Sequence, residues 1–252
     1  MLRFLAIHAH PDDIEFQCAG TLALLKRKGH HITIATMTAG DCGSAEHSRQ
    51  EIAAIRREEA RQAAELLNAD YVCLEFQDLR LVDDDASRMR VTEALRQAAP
   101  DVVITAPPVD YMTDHEITSR LVRQATFNAP IPNYSTEAKN PAGVIESIPH
   151  LYYVDPLEGT DYYGHDIPPD FYVDVTATFD LKRDMLACHA SQRNWLLRQH
   201  GIDEYLEAQR RWSSKRGKEV GVLHAEAFRQ HRGHPYPQDN ILSELLSEVK
   251  KP

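Results

Sequence analysis

Residues 4–15 read Phe4-Leu5-Ala6-Ile7-His8-Ala9-His10-Pro11-Asp12-Asp13-Ile14-Glu15, and this stretch decides the fold. Its apolar start predicts a buried strand over residues 3–8. The polar residues that follow predict a turn at the end of this strand. Pro11 fixes its own φ and biases His10 toward an extended conformation, so the turn is stiff. An imidazole and three carboxylates are therefore presented together at the end of a strand.

This turn has the composition of a metal site. Imidazole nitrogen and carboxylate oxygen bind divalent cations together, and a catalytic site needs a further carboxylate to handle the protons of water. Adjacent Asp12 and Asp13 can divide these tasks. The alternative is a helix cap, in which one aspartate only satisfies free N–H groups. Glu15 is either an acid that complements the helix dipole or a substrate-binding residue.

Short β-rich runs alternate with helical patterns through the first half of the chain. Strands are predicted at 3–8, 31–37, 71–74 and 101–105, with helices at 16–28, 48–67 and 87–98. This alternation predicts parallel βαβ units, and so an α/β fold with a Rossmann-like, mostly parallel sheet flanked by helices. Further strands are predicted at 151–154 and 171–175, and a further helix at 180–198.

The last sixty residues exceed what such a sheet requires. We expect a catalytic domain at 1–190 and a helical C-terminal extension of the same domain at 191–252, with residues 225–229 among its helices. Trp195, Trp212 and several arginines in this extension suit a subunit interface or a lid over the site. We favour the interface, and therefore a homo-oligomer.

A second polar loop follows the fourth predicted strand, Pro107-Pro108-Val109-Asp110-Tyr111-Met112-Thr113-Asp114-His115-Glu116. Ligands of parallel α/β sheets bind beyond the carboxyl ends of strands, near the point where strand order reverses. If both loops open on one face, His10, Asp13 and His115 form a two-His, one-carboxylate set that leaves a position for water. The alternative for His115 is a helix-start residue capped by Thr113 or Asp114.

Charge and cysteine content exclude several classes of protein. The 252 residues carry a net charge of −10 without a basic block, which argues against nucleic acid as a partner. Four scattered cysteines without a CxxC argue against a zinc ribbon and a disulfide framework. No run approaches the ~18 apolar residues of a membrane span. We expect a cytoplasmic protein that acts on a small molecule, with no membrane partner.

Three groups of residues resemble, in order and spacing, the LmbE/PIG-L family of zinc-dependent N-deacetylases: His10-Pro11-Asp12-Asp13, Arg56-x-x-Glu59-Ala60 and Asp114-His115. The resemblance covers most of residues 3–190 and implies the same Rossmann-like fold. It also implies roles for five residues. His10, Asp13 and His115 are expected to bind Zn²⁺ or another divalent transition metal. Asp12 is expected to be the general base that activates water, and Arg56 a substrate-binding residue.

One position departs from the family pattern, which reads His-x-Asp-His where this chain has Met112-Thr113-Asp114-His115. The missing imidazole is the group assigned to steady the oxyanion or to donate a proton, and a thioether has no proton to give. Either the metal alone polarises the carbonyl, or another histidine contacts the substrate instead. His189 is our first choice for that substrate-binding role, His165 the second, and His8 a further candidate.

The sequence thus predicts a metal-dependent hydrolase that removes an acyl group, such as acetyl, from the amide nitrogen of an N-acetyl amino sugar or related small molecule. One alternative is an amidase that acts on a thiol conjugate or another non-sugar amide. A more distant alternative is a non-catalytic Rossmann-type binding protein. The first turn lacks G-x-G-x-x-G, however, and its carboxylates would repel a pyrophosphate.

Overall fold

The computed structural model describes residues 1–194 and 204–252, and strands from both parts form one mixed sheet. The strands are β1 (Arg3–His8), β2 (His31–Thr38), β3 (Asp70–Phe76), β4 (Val102–Thr105), β5 (His150–Val154), β6 (Phe171–Asp174), β7 (Ala225–Gln230) and β8 (Val249–Lys250). The helices are α1 (Asp13–Gln17), α2 (Ala19–Arg27), α3 (Arg49–Leu66), α4 (Asp85–Ala98), α5 (Thr113–Asn128), α6 (Phe179–Ala187), α7 (Glu204–Glu219) and α8 (Ile241–Leu245). Within the described ranges, no helix has the length and apolar character that a membrane crossing would need.

The order of the strands is β3-β2-β1-β4-β5-β7-β6-β8, and the first five are parallel. Strand order reverses between β1 and β4, which pair from Phe4 with Val102 to Ile7 with Thr105. The loops that leave these two strands therefore start side by side at one edge of the sheet, where ligands of this architecture bind. The prediction of an α/β fold with a mostly parallel sheet flanked by helices is confirmed.

Apolar side chains cover both faces of the central strands. Phe4 and Ala6 of β1 point into one layer, whereas Leu5 and Ile7 point into the other, as the two-residue period of a strand dictates. β4 is buried along its whole length, as a parallel strand under helices should be. The site at its carboxyl end is thus built on a rigid support.

The prediction of a purely helical C-terminal segment is wrong at residues 225–230. These residues form β7, which lies between β5 and β6 and pairs antiparallel with both. Alanine and glutamate favour helices in isolation, but Ala225, Ala227 and Phe228 are buried between neighbouring strands. The C-terminal segment therefore completes the sheet instead of only packing against it.

The predicted helix at 16–28 is two helices, α1 and α2, which meet at Cys18. The first N–H groups of α2 are buried there, and Glu226 of β7 accepts hydrogen bonds from Gly20 N (2.9 Å) and Thr21 N (2.8 Å). A side chain at position 20 is excluded, because an added Cβ would lie 2.7 Å from Val175 Cβ. Gly20 thus brings α2 close to the sheet.

The predicted helix at 180–198 is also interrupted. α6 ends at Ala187, and helical backbone resumes at residue 190 and continues to residue 194. The break places His189 in the interior, where none of its surface is exposed. The rest of that predicted helix, with Trp195, lies outside the described residues, and the proposed subunit interface stays a prediction.

Candidate metal and catalytic site

The turn after β1 is held in shape by one of its own aspartates. Asp13 Oδ2 accepts a hydrogen bond from His10 N (2.8 Å), and Asp13 also begins α1. Asp12 has φ 96° and ψ −27°, a left-handed conformation for a residue with a Cβ. Such a conformation costs on the order of 1–3 kcal/mol and is found most often at functional positions. The turn thus presents two adjacent carboxylates in different directions.

Three imidazoles surround the Asp13 carboxylate. His8 Nδ1 lies 2.7 Å and His10 Nδ1 3.4 Å from Asp13 Oδ2, and His115 Nε2 lies 3.5 Å from Asp13 Oδ1. Burial alone would raise the pKa of Asp13, but the imidazoles together hold it well below its usual range. Asp13 is therefore an ionised carboxylate. The two predicted histidine ligands and the predicted carboxylate ligand come together here, with His8 as an additional neighbour.

A second set of carboxylates orients two of these rings. His115 Nδ1 lies 3.0 Å from Asp110 Oδ1, and His10 Nε2 lies 3.0 Å from Asp78 Oδ1 and 3.5 Å from Asp114 Oδ2. Burial opposes the charged imidazoles, but these carboxylates and Asp13 raise the pKa of His10 and of His115. Carboxylates placed behind histidines fix the ring orientation that a metal ligand needs.

The donor set suits a divalent metal ion. His115 Nε2 is buried, has no hydrogen-bond partner, and faces Asp13 Oδ1. His10 Nδ1 lies 3.4 Å from Oδ2, the other oxygen of the same carboxylate. Two groups around the turn have ligand atoms that all lie within 4.8 Å of one another: His8, Asp13 and His115, and His10, Asp78 and Asp114. Two nitrogens and one carboxylate are a ligand set that catalytic zinc sites use.

Asp12 is held by residues far away in the sequence. Tyr205 of α7 donates a hydrogen bond to Asp12 Oδ2 (2.6 Å), and Arg56 Nη2 lies 3.4 Å from the same oxygen. Burial raises the pKa of Asp12 and outweighs the nearby Arg56 guanidinium, which lowers it. A carboxylate with a raised pKa is better suited to accept a proton from water.

Arg56 lies behind the turn, where it is 4 % exposed. Its guanidinium donates hydrogen bonds to Pro11 O (2.8 Å) and Gly40 O (3.3 Å). Gly40 has φ 65°, and an added Cβ there would lie 2.2 Å from Arg56 Nη1. Arg56 thus joins the turn after β1 to the loop after β2. The structure places it against backbone carbonyls and Asp12, and it is not among the residues that line the cavity described below.

Glu15 and His189 form a buried pair behind Asp12. His189 Nε2 lies 3.5 Å from Glu15 Oε1, and both residues are almost fully buried. Burial opposes the imidazolium, but the charges of Glu15 and Asp12 outweigh it and raise the pKa of His189. Neither residue lines the cavity. The substrate-binding role predicted for each of them stays a prediction.

His165, the second choice to replace the missing imidazole, lies on the surface. His165 is 79 % exposed and lies 3.3 Å from Asp161. Met112 precedes the first residue of α5, and its carbonyl accepts a hydrogen bond from His115 N (3.1 Å). Neither His165 nor Met112 lines the cavity.

A cavity of about 690 Å³ opens onto Asp12, Asp13 and His115. Its walls come from five parts of the chain: Phe16 and Gln17 of α1, Tyr111, Leu157, Gln192, and the start of α7 with Glu204, Tyr205 and Ala208. A volume of this size accommodates a small organic molecule. Among the described residues that line it there are three carboxylates and no lysine or arginine.

Comparison with known proteins finds a matching family. Residues 5–126 match the sequence model of the family described as PIG-L, GlcNAc-PI de-N-acetylase. This part of the chain is therefore similar to the PIG-L family, as the sequence predicted.

Two relatives of this chain are named for different reactions. The chain is 25% identical over 198 residues to 4-oxalmesaconate hydratase of Pseudomonas putida, an alignment that covers 75% of this chain and 74% of the relative. It is 27% identical over 197 residues to diacetylchitobiose deacetylase of Thermococcus kodakarensis, with 75% and 70% covered. The solved N,N'-diacetylchitobiose deacetylase of Pyrococcus horikoshii superimposes with a TM-score of 0.77 at 27% identity, over 94% of this chain and 88% of that one.

Three residues around the site were not found from the sequence. Asp110 belongs to the loop that was singled out, but no role was assigned to it. Asp78 follows β3 just as the two predicted loops follow β1 and β4, and this shared position in parallel βαβ units was a usable signal. Tyr205 lies 193 residues from Asp12, and no local pattern connects the two.

Proposed function

We propose that this chain is a metal-dependent amide hydrolase that removes an acetyl or similar acyl group from the nitrogen of a small molecule, with an N-acetyl amino sugar as the first substrate class. The observation that carries the proposal is the position of Asp12, which lines one cavity together with Asp13 and His115 Nε2. We further propose Zn²⁺ as the metal, because zinc binds two imidazoles and a carboxylate readily. His10, Asp13 and His115 would hold it.

A bound divalent cation would polarise the acyl oxygen and lower the pKa of water from 15.7 toward ~7. The protein's own part is proton transfer and orientation. Asp12 takes a proton from the water whose oxygen attacks the acyl carbon, and the same carboxyl returns a proton to the nitrogen as the C–N bond breaks. Such general acid–base catalysis contributes typically ~10²–10⁴-fold.

Hydration of a carbon–carbon double bond is the second candidate, because a hydratase is among the relatives. The same aspartate could deprotonate water for either reaction. A substrate with several carboxylates, which the name 4-oxalmesaconate indicates for that relative, needs cationic side chains around it. The described lining has Asp12, Asp13 and Glu204 instead, together with apolar Phe16 and Leu157. This charge balance favours an uncharged acylamino compound.

The two candidates are separated by assaying one metal-loaded preparation for both reactions. We expect release of acetate from a panel of N-acetyl amino sugars and acylated thiol conjugates, abolished by a chelator and restored by Zn²⁺. The hydratase arm follows the loss of ultraviolet absorbance of an unsaturated oxo-tricarboxylate. Loss of that absorbance without acetate release from any amide would overturn the proposal. The acylated thiol conjugates in the panel test the amidase alternative.

A further inference from the structure

We propose that Tyr205 is a positioning residue for Asp12, so that the C-terminal helix α7 forms part of the active site. Tyr205 lies 8 % exposed at the edge of the cavity and donates a hydrogen bond of 2.6 Å to Asp12 Oδ2. It lies outside residues 5–126, the part that matches the family. The role of Asp12 as a base rests on the proposed function.

The direction of this hydrogen bond determines which carboxylate oxygen can react. Among the described residues, both donors to the Asp12 carboxylate, Tyr205 Oη and Arg56 Nη2, end on Oδ2. Oδ1 is therefore the oxygen that remains available to a water molecule in the cavity. A carboxylate that is hydrogen-bonded on one oxygen is held in a single rotamer, and orientation of this kind is a large part of catalysis.

Asp12 needs external support because its backbone is unfavourable. Its φ of 96° lies in the left-handed region, and the helix α1 holds only its backbone, through a hydrogen bond from Phe16 N to Asp12 O (2.9 Å). Arg56 holds the preceding carbonyl, Pro11 O, at 2.8 Å. Tyr205 is the group that holds the side chain itself at short range.

α7 is attached firmly enough to serve as this support. Gln209, one turn after Tyr205, donates to Glu15 O of α1 (3.0 Å). At the far end of the helix, Arg216 Nε donates to buried Asp155 Oδ2 (2.7 Å), next to β5. The helix is therefore attached at two separate points, to α1 directly after Asp12 and to the residue that follows β5.

The activity test compares Tyr205→Phe with Tyr172→Phe. Tyr172 is a matched control, because its hydroxyl donates to Glu219 Oε2 (2.8 Å) at the other end of the same helix. We expect Tyr205→Phe to lower kcat on the order of tenfold, the factor that one charge-assisted hydrogen bond supplies. KM and metal content should stay unchanged, and Tyr172→Phe should keep wild-type kcat. A kcat equal to wild type in Tyr205→Phe, or a rise in KM alone, would overturn the inference.

A second measurement needs no substrate and so separates this inference from the proposed function. Asp12→Gly removes the carboxylate and retains the positive φ. We expect Tyr205→Phe to lower the urea midpoint of unfolding when Asp12 is present and to leave it unchanged in the Asp12→Gly background. Tyr172→Phe should change the midpoint by the same amount in both backgrounds. If Asp12→Gly does not fold, Asp12→Asn replaces it, and the effect of Tyr205→Phe should shrink there. Equal effects of Tyr205→Phe in both backgrounds would contradict the coupling.

Discussion

His115 Nδ1 lies 3.0 Å from Asp110 Oδ1, and this contact turns the other ring nitrogen, Nε2, toward Asp13 Oδ1. The Asp110 side chain is completely buried, and its Oδ1 also accepts a hydrogen bond from Met112 N (3.2 Å). The carboxylate therefore connects the backbone of the loop after β4 with a proposed metal ligand. Its charge favours the tautomer in which Nε2 is free to bind a cation.

Asp110→Asn should weaken zinc binding by roughly 10–100-fold, the usual effect of changing a carboxylate behind a metal-bound histidine. The amide retains the shape and an acceptor oxygen, so folding should be preserved. The affinity is measured by competition with a chelating dye. Asp161→Asn is the control, because Asp161 contacts the exposed His165 in the same manner, and it should bind zinc like wild type. Wild-type affinity in Asp110→Asn would remove His115 from the proposed ligand set.

Asp12→Asn should keep the metal and lower kcat by about 10²-fold or more, because the amide cannot accept a proton from water. Asparagine tolerates the left-handed conformation of this position. Metal content and kcat are measured on the same preparation. Asp13→Asn is the companion variant and should lose metal together with activity. The reverse pattern, with metal lost in Asp12→Asn and kept in Asp13→Asn, would exchange the roles of the two aspartates.

The sequence was sufficient for the part of the site that depends on local order. Strand β1, the stiff turn at Pro11 and the loop after β4 follow one another in a parallel βαβ arrangement, whose chain order fixes the edge at which His10, Asp13 and His115 meet. The positions of Arg56, Glu15 and His189 could not be predicted from this chain order. Each is a polar residue whose packing against distant backbone depends on tertiary contacts.

The strand β7 could not be predicted because it is enclosed by other parts of the fold. Ala225-Glu226-Ala227-Phe228 lacks a polar face, because the strand has neighbours on both sides and layers above and below, and alternation is then lost. In the sequence alone, Glu226 between two alanines is typical of an exposed helix, and only its hydrogen-bond partners show that it is buried in a strand. Those partners, Gly20, Thr21 and Lys182, lie 206, 205 and 44 residues away.

Lys182→Met should destabilise the fold by about 3–5 kcal/mol, as is usual when one member of a buried ion pair is removed. Lys182 Nζ donates to Glu226 Oε1 at 2.6 Å, and both side chains are 1 % exposed. The free energy of unfolding is measured in urea. The control Lys215→Met removes an exposed lysine that contacts Glu158 O (3.2 Å) and should cost under about 1 kcal/mol. Equal losses in the two variants would contradict a structural role for this pair.

Glu93 should make stability depend on pH in the acid range. Its carboxylate accepts hydrogen bonds from Thr136 Oγ1 (2.6 Å) and Ala142 N (2.8 Å), which tie the segment before β5 to α4. Burial opposes ionisation, but these hydrogen bonds outweigh it and lower the pKa of Glu93 from its ordinary 4.5. Because the folded pKa is the lower one, the stabilisation is complete above the unfolded pKa and is lost as the pH falls through the folded pKa.

Glu93→Gln should therefore be less stable than wild type at pH 7, by on the order of 1.5 kcal/mol for hydrogen bonds to a charged group. The difference should narrow as the pH falls below the ordinary pKa of 4.5 and through the lowered pKa of the folded protein. Urea unfolding at a series of pH values measures both quantities. Glu146→Gln, at an exposed glutamate close to Ala142, should follow wild type throughout. A stability difference between wild type and Glu93→Gln that stays constant from pH 7 to pH 3 would show that the charge of Glu93 is not what holds this segment.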